Sequence, residues 1–273
     1  MKTTQALKKS LRLIKYIIII IYLFFSASYS DDVRISISNT VKYQKLLKKA
    51  DALYAQRKKF EKAKKALLLF QEYNRENPNS VEGLWRLSMG NYYVGHLLEG
   101  RKNSFNRKKH FLEGLKAGKE CELNAKKPKV ECYFWQATNL ALLEQENGII
   151  SLAFSLDDII KLLEKAKETN PTYASAGAYR TLSILYSRSP AFLGGDNEKA
   201  RSYIKKAISL APNEPLNVVF YAKFLISDDN KPKAIQIISN FIKKADPQSF
   251  PFYESKNAYN ELNYFLKHEQ WPE

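Results

Sequence analysis

The stretch SPAFLGGDNEKARSYIKKAISLAPN, residues Ser189–Asn213, decides the fold because two adjacent glycines stand directly before a segment with helical spacing. Gly194 and Gly195 are two of only ten glycines in 273 residues. A glycine pair ahead of a helix is typical either of a loop that binds phosphate or of a tight connection between two packed helices. These alternatives predict different classes of protein.

The residues around the glycines exclude the common phosphate loops. A Walker loop requires a glycine, four residues and then Gly-Lys-Ser/Thr, whereas a dinucleotide loop requires three spaced glycines after a strand. Neither pattern is present, and an acidic residue follows the glycines. We therefore interpret four residues as a structural turn: Pro190, Gly194, Gly195 and Asp196. Pro190 ends one helix and Asp196 caps the next, while both glycines permit positive φ. The apolar residues inside the turn are expected to pack on the core: Ala191, Phe192 and Leu193.

The helix after this turn carries small and large apolar residues at a repeat spacing. Ala200, Ile204, Ala207 and Pro212 follow one another at intervals of four, three and five. This pattern is that of the second helix of a tetratricopeptide repeat, in which alanines let the preceding helix approach and a proline ends the helix. The preceding segment supplies the large, small and aromatic residues of a first helix: Leu182, Ser183 and Tyr186.

Apolar residues recur at intervals of three and four along most of the chain, and the alternation typical of strands is nearly absent. The sequence therefore predicts an all-α fold, with tetratricopeptide-like helical hairpins stacked as a superhelical solenoid. The predicted helices are Val41–Gln56, Lys59–Arg75, Val81–Leu98, Ser104–Ala125, Val130–Glu146, Leu156–Thr169, Ala174–Ser187, Asn197–Leu210, Pro215–Ser227, Lys231–Ala245 and Glu254–His268.

The first 30 residues have the pattern of a secretory signal peptide. A basic segment precedes the apolar run Tyr16–Phe25, and small residues at Ser28 and Ser30 suit cleavage before Asp31. We expect residues 1–30 to be removed and residues 31–273 to form one helical, periplasmic domain. The alternative is an uncleaved anchor in the inner membrane, although the run is short for a span. No cysteine follows it to accept a lipid, so we expect release in soluble form.

The positive charge of the chain does not predict nucleic-acid binding. Removing the five positive charges of residues 1–30 lowers the formal net charge from +16 to +11. The remaining lysines and arginines are interleaved with acids instead of forming one basic stripe. Such a distribution is typical of a solvated surface, with a modest basic patch for an acidic partner or an anionic membrane surface as the alternative.

The two cysteines, Cys121 and Cys132, are eleven residues apart, with Pro128 marking a turn between them. In an oxidising compartment they allow a disulfide across a helical hairpin, and two buried thiols are the alternative. Two cysteines without an accompanying histidine do not make a metal site.

The residue types that carry catalysis do not form a recognisable set. His96, His110 and His268 share no metal-ligand spacing, and the sequence contains no Gly-x-Ser-x-Gly motif. Adjacent acids such as Asp157 and Asp158 point about 100° apart on a helix, so they do not converge. We expect a protein that is not an enzyme and that needs no cofactor or metal.

Several stretches together resemble a known family over residues 80–213. They are VEGLWRLSMGNYYVG, HFLEGLKAGKECELN, YFWQATNLALL, LLEKAKETNP and YRTLSILYSRSPAFLGGDNEKARSYIKKAISLAPN. These resemble the T component of tripartite ATP-independent periplasmic (TRAP) transporters, a divergent tetratricopeptide family. The resemblance implies an exported helical scaffold that docks the periplasmic solute-binding protein, in characterised relatives as a lipid-anchored homo-trimer with a channel through each protomer. This chain departs from that pattern because it lacks the lipidation cysteine.

Aromatic residues and arginines in the first helices of the hairpins are the candidate surface for a ligand or partner. The set is Trp85, Arg86, Tyr92, Tyr93, Tyr133, Trp135, Tyr179 and Arg180. Some of these rings must pack between helices, because near neighbours in sequence such as Tyr133 and Trp135 cannot share one face. The leading hypothesis is an adaptor for a solute-binding protein. The alternatives are an envelope assembly or structural protein and a binder of a small hydrophobic or carboxylate ligand.

Overall fold

The structure, a computed structural model, describes residues 41–98, 104–250 and 252–272. The predicted signal peptide, residues 1–30, lies outside these residues. The chain divides into two compact units, residues 1–49 and 50–273. In the first, the described residues 41–49 are helical.

The described residues of the second unit are helices, turns and loops, without a strand. Helical residues 50–54 are called α1 here. The helices that follow are α2 (Phe60–Glu76), α3 (Val81–Leu97), α4 (Ser104–Asn124), α5 (Val130–Asn147), α6 (Ile149–Thr169), α7 (Tyr173–Arg188), α8 (Asn197–Leu210), α9 (Pro215–Ser227), α10 (Lys231–Ile242) and α11 (Tyr253–His268).

The helices stack as hairpins in two layers. Each helix from α2 to α10 packs on the next helix in sequence. Contacts between helices two apart join α3 to α5, α7 to α9 and α9 to α11, and the Trp135–Tyr173 hydrogen bond joins α5 to α7. The odd-numbered helices from α3 to α11 therefore form one layer. This arrangement is the predicted all-α solenoid of tetratricopeptide-like hairpins. The odd-numbered layer, called the inner layer below, carries all eight residues of the candidate surface.

The α7–α8 hairpin has the small-residue contact that the sequence predicts. Ala200, Ile204 and Ala207 of α8 are fully buried, and so is Leu182 of α7. The Ser183 hydroxyl donates to the Ala200 carbonyl oxygen at 2.8 Å. A hydrogen bond from one helix to the backbone of the other requires a close approach, which larger residues would prevent.

The turn before α8 uses its two glycines in different ways. Gly194 has φ +87°, in the left-handed region, whereas Gly195 does not have positive φ, which corrects the expectation for the second glycine. A Cβ on Gly195 would lie 1.8 Å from the Ser189 carbonyl oxygen, so this glycine is required by close contact. Asp196 caps α8 by accepting from the Lys199 N–H at 2.9 Å.

Two further expectations about loops are wrong. Phe192 is 85% exposed and Ala191 is also exposed, so these residues do not pack on the core. They form a short 3-10 turn with Leu193 that carries them outward.

Helix α6 begins at Ile149 and not at Leu156, because Gly148 with φ +117° turns the chain in one residue. The added turns expose their large apolar side chains, so they lack the one-sided pattern that predicts a helix.

Cys121 of α4 and Cys132 of α5 form a disulfide, with their Cα atoms 5.4 Å apart. Both cysteines are fully buried and pack beside Leu84 and Trp85 of α3. The bond therefore ties one hairpin together next to the helix before it. A short loop of this kind stabilises by up to about 3 kcal/mol in the chain-entropy model.

The different roles of the two glycines predict different costs on substitution. Gly194→Ala should lower the free energy of unfolding by about 1 kcal/mol, because alanine tolerates left-handed φ with modest strain. Gly195→Ala should cost about 3 kcal/mol, because its Cβ would meet backbone that cannot rotate away. Urea unfolding followed by circular dichroism measures both values. Ser202→Ala, on the exposed side of α8, is the control; equal stability of Gly195→Ala and wild type would contradict this account.

Candidate functional site

The structure separates the predicted surface residues onto different faces. Tyr133 lies under the Lys165 ammonium of α6, 5.4 Å from its ring centroid. Tyr179 packs against Tyr203 of α8 with ring centroids 6.1 Å apart. Trp85 donates to Glu82 at 3.0 Å and packs beside the disulfide. These three rings are therefore engaged with neighbouring groups of the fold.

A second group of rings meets in the inner layer. Tyr92 of α3 and Trp135 of α5 have centroids 5.3 Å apart. The Trp135 indole N–H donates to the Tyr173 hydroxyl at the start of α7 at 2.8 Å. All three side chains are partly exposed. They form a continuous aromatic surface across three helices.

Arg57 connects residues from opposite ends of the second unit. Its Nε and Nη2 donate to the two carboxylate oxygens of Glu254 at 3.0 and 2.6 Å, across 197 residues of sequence. The guanidinium also lies over the rings of Tyr54 and Tyr93, 4.7 and 5.1 Å from their centroids. Arg57 is buried and Glu254 is half-buried, so a partly buried ion pair joins the α1–α2 connection to α11.

Tyr93 completes this ion pair. Its hydroxyl donates a hydrogen bond to Glu254. Burial and the neighbouring carboxylate raise the pKa of Tyr93 far above its usual value, so the hydroxyl keeps its proton. Glu254 therefore receives hydrogen bonds from both a cation and a phenol.

Arg86 is also paired with acids. Its Nε and Nη2 donate to Asp51 at 2.9 and 3.1 Å, and its Nη1 donates to Glu82 at 2.7 Å. Burial alone would raise the pKa of Glu82, but hydrogen bonds from Lys129, Arg86 and Trp85 outweigh it and lower the pKa to about 2. Glu82 is therefore ionised at neutral pH, and Arg86 is neutralised within the protein.

Arg180 has a different environment. Its Nη1 donates to the Asn217 side-chain oxygen at 2.7 Å and to the Ser175 carbonyl at 3.3 Å, and its Nη2 lies 3.4 Å from the Ala174 carbonyl. Burial lowers the pKa of Arg180, although Glu214 and Tyr92 act in the opposite direction. Its hydrogen-bond acceptors are neutral oxygens.

A left-handed turn at the start of α7 orients two of these oxygens. Ala174, Ser175 and Ala176 have φ of 50°, 55° and 61°, outside the right-handed helix that the sequence predicts. The fully buried Asn217 holds the turn by donating to the Ser175 carbonyl at 3.2 Å. The carbonyls of this turn therefore point to the guanidinium instead of along the helix.

A pocket of about 340 Å³ lies beside this turn, with Ser175, Pro212, Glu214 and Phe250 in its lining. The buried carboxylate of Glu214 accepts from the Leu216 N–H at 3.1 Å and from the Ser255 hydroxyl at 3.0 Å. Hydrogen bonds from α9 and α11 therefore fix the position of the Glu214 carboxylate.

The sequence did not indicate several members of this region. Tyr54, Arg57, Tyr173, Asn217 and Glu254 lie far apart in the chain, and none belongs to a short motif. Only Tyr173 carried a local signal, because it follows the helix-ending Asn-Pro that precedes a first helix.

The part of the chain that the structure describes contains neither a candidate metal site nor a helix able to cross a membrane. No group of three His, Cys, Asp or Glu side chains there is arranged to hold a metal ion. None of the helices in residues 41–98, 104–250 and 252–272 combines the length and apolar content that a membrane crossing requires.

The partly buried Arg57–Glu254 pair should contribute more to stability than an exposed pair. Arg57→Gln should lower the free energy of unfolding by about 2 kcal/mol, because the half-buried Glu254 carboxylate loses two hydrogen bonds from a cation. Arg75→Gln removes an arginine that is 73% exposed and 3.8 Å from Glu76, so it should change stability by less than about 0.5 kcal/mol. Urea unfolding at pH 7 tests both. If Arg57→Gln and Arg75→Gln are equally stable, the pair is not a structural constraint.

The sequence profile described as TRAP transporter T-component matches residues 38–260. No relative among curated proteins matches the sequence. The match includes the α7–α8 turn and nearly all residues of the inner layer.

One solved structure has the same fold. A thermophilic tetratricopeptide protein of Thermus thermophilus, TTC0263, is similar with a TM-score of 0.60 and 20% identity, covering 81% of this chain and 99% of its own. A structure described as MamA RS-1 ArsTM double mutant has a TM-score of 0.41 and 17% identity, over 71% of this chain and 93% of its own. At 20% sequence identity, the similarity to TTC0263 establishes the fold alone. With the profile match over most of its length, the chain belongs to the TRAP transporter T-component family.

Proposed function

We propose that this chain is an exported, non-catalytic adaptor whose inner layer binds the solute-binding protein of a TRAP-type transporter. Membership of the T-component family supports association with transporter components. The observation that carries the proposal is the partly exposed aromatic surface of Tyr92, Trp135 and Tyr173. Tyrosine, tryptophan and arginine are the residue types enriched at the energetic centres of protein interfaces.

The rigidity of this surface favours binding. Its rings are fixed by contacts between helices, and the Trp135–Tyr173 hydrogen bond is 2.8 Å long. A surface that is ordered before binding loses less conformational entropy when a partner docks. The inner layer is therefore suited to a partner of defined shape.

Export is part of the proposal. We assign residues 1–30 as a signal peptide and residues 31–273 as the mature domain. The buried Cys121–Cys132 disulfide supports an oxidising compartment, because such bonds persist mainly outside the cytosol. Amino-terminal sequencing of protein from the envelope fraction should give Asp31 as the first residue. Recovery of a chain that retains residues 1–30 would favour the uncleaved anchor.

The partner is tested by affinity capture of the full chain from its own envelope fraction under native conditions. We expect mass spectrometry to identify a solute-binding protein. Trp135→Ala should reduce its recovery by about 10-fold or more, because truncating a central aromatic residue removes a large share of binding energy. Phe192→Ala removes an aromatic residue that is 85% exposed outside the inner layer, so it should not change recovery.

Circular dichroism melting shows whether each variant is folded. Two outcomes would overturn the proposal. One is capture of envelope assembly proteins without a solute-binding protein, and the other is equal recovery with Trp135→Ala and Phe192→Ala.

A further inference from the structure

One side of α4 exposes three large apolar residues. Phe105, Leu112 and Leu123 are 80%, 41% and 84% exposed. Leu112 is seven residues after Phe105, and Leu123 is eleven residues after Leu112. These intervals are about two and three turns of an α-helix, so the three side chains lie in one row over about 27 Å. We call these three residues the α4 stripe.

The α4 stripe faces away from the rest of the fold. On the other side of α4, Phe111 is fully buried against Gly95 of α3. Cys121, also fully buried, is bonded to Cys132 of α5. Phe111 and Cys121 are each rotated by more than about 100° from the stripe around the helix axis. The stripe is therefore not used in packing against α3 or α5.

Lysines lie along both sides of the α4 stripe. Helical geometry places Lys109 and Lys116 within about 60° of the row on one side, and Lys108 and Lys119 within about 60° on the other. Lys109 and Lys119 are exposed. In the described part of the chain, no acid lies within ion-pair distance of either ammonium. Their charges are therefore available to an anion outside the protein.

The acids of α4 offset this charge only in part. Glu113 is paired with Lys116 at 3.0 Å, and Glu122 with Lys165 of α6 at 2.9 Å. The third acid, Glu120, is exposed. With five basic and three acidic residues, α4 has a formal net charge of +2. A row of apolar side chains bordered by lysines is typical of a helix that lies on an anionic membrane surface.

Helix α6 has exposed apolar residues in a different electrostatic setting. Ile149, Ile150 and Phe154 are exposed in its first two turns, but the next exposed residues are the acids Asp157 and Asp158. An anionic surface would repel these carboxylates. Apolar and basic residues are therefore combined along the length of α4 and not at the start of α6.

We propose that the α4 stripe docks the protein on an anionic phospholipid membrane. Phe105, Leu112 and Leu123 enter the interfacial region of the bilayer, while Lys109 and Lys119 lie against the lipid phosphates. Apolar burial and attraction to anionic lipids both stabilise this kind of binding. Because the stripe faces away from α3 and α5, docking leaves the inner layer free for a protein partner. The inference goes beyond the proposed adaptor role and does not depend on it.

The test must report on the stripe itself, because the apolar run Tyr16–Phe25 of the full chain can bind lipid independently. Both native cysteines are buried in the disulfide, so a single added cysteine can be labelled with the environment-sensitive dye nitrobenzoxadiazole. Leu112→Cys places the dye on the α4 stripe, and Phe192→Cys places it on the exposed α7–α8 turn.

The labelled full chains are titrated with vesicles of phosphatidylglycerol and phosphatidylcholine. Emission from the dye at position 112 should rise about 2-fold or more and shift to shorter wavelength, as expected for entry into the bilayer interface. Emission from position 192 should not change. No rise at position 112, or an equal rise at both positions, would overturn the proposal.

Charge variants of the labelled Leu112→Cys chain test the lysines. Lys109→Gln combined with Lys119→Gln should raise the lipid concentration for half-maximal emission about 10-fold, because two cations close to the anionic surface are lost. Lys205→Gln combined with Lys206→Gln removes the same charge from the exposed side of α8 and should leave this concentration unchanged. If both pairs have equal effects, net charge and not the stripe controls binding, and the proposal is wrong.

Two further controls use the labelled Leu112→Cys chain. Added sodium chloride should weaken the emission change, because it screens the attraction between lysines and lipid phosphates; a change that is independent of salt would exclude the lysine contacts. If emission from position 112 rises with protein concentration in the absence of vesicles, a second copy of the chain covers this face and the proposal is wrong. Circular dichroism melting shows that each variant is folded.

Discussion

The close approach of helices at small residues is the constraint on which this structure depends. A Cβ on Gly95 of α3 would lie 2.6 Å from the Phe111 ring of α4, and one on Gly118 would lie 2.9 Å from the Gln136 Cα of α5. The second contact is with backbone, so no side-chain rotation relieves it. Ala200 and Ala207 have the same role at α7–α8. The helices of each hairpin and of neighbouring hairpins therefore pack closely where these small residues lie.

Two partly buried arginines are paired with acids from other helices. A poorly solvated ion without a partner is costly. Arg57 meets Glu254 and Arg86 meets Asp51, each through two hydrogen bonds. Arg180 differs from these two arginines because its hydrogen bonds go to neutral oxygens and not to a carboxylate.

Local sequence patterns predicted the features that are set by residues close together in the chain, such as helix boundaries and caps. The helix boundaries agree with the structure to within four residues except at the start of α6, where exposed Ile149, Ile150 and Phe154 give no one-sided pattern. The alanine spacing of α8 and its Asp196 cap are equally local features. The Arg57–Glu254 pair spans 197 residues and had no sequence signal. Periodicity also cannot show which of Tyr133 and Trp135 faces inward, because that depends on how the hairpins stack.

The left-handed turn of residues 174–176 is the clearest case in which tertiary contacts override local preference. Ala-Ser-Ala favours a right-handed helix or a cap, and none of these residues is a glycine that would reduce the strain. The turn persists because Asn217 and Arg180 bind the carbonyls that it redirects, and the Asn217 bond exists only when α7 packs on α9. The position of Arg180 is therefore a property of the assembled solenoid. A related helical-repeat protein can share the fold without this turn, so fold similarity alone does not carry the site from one family member to another.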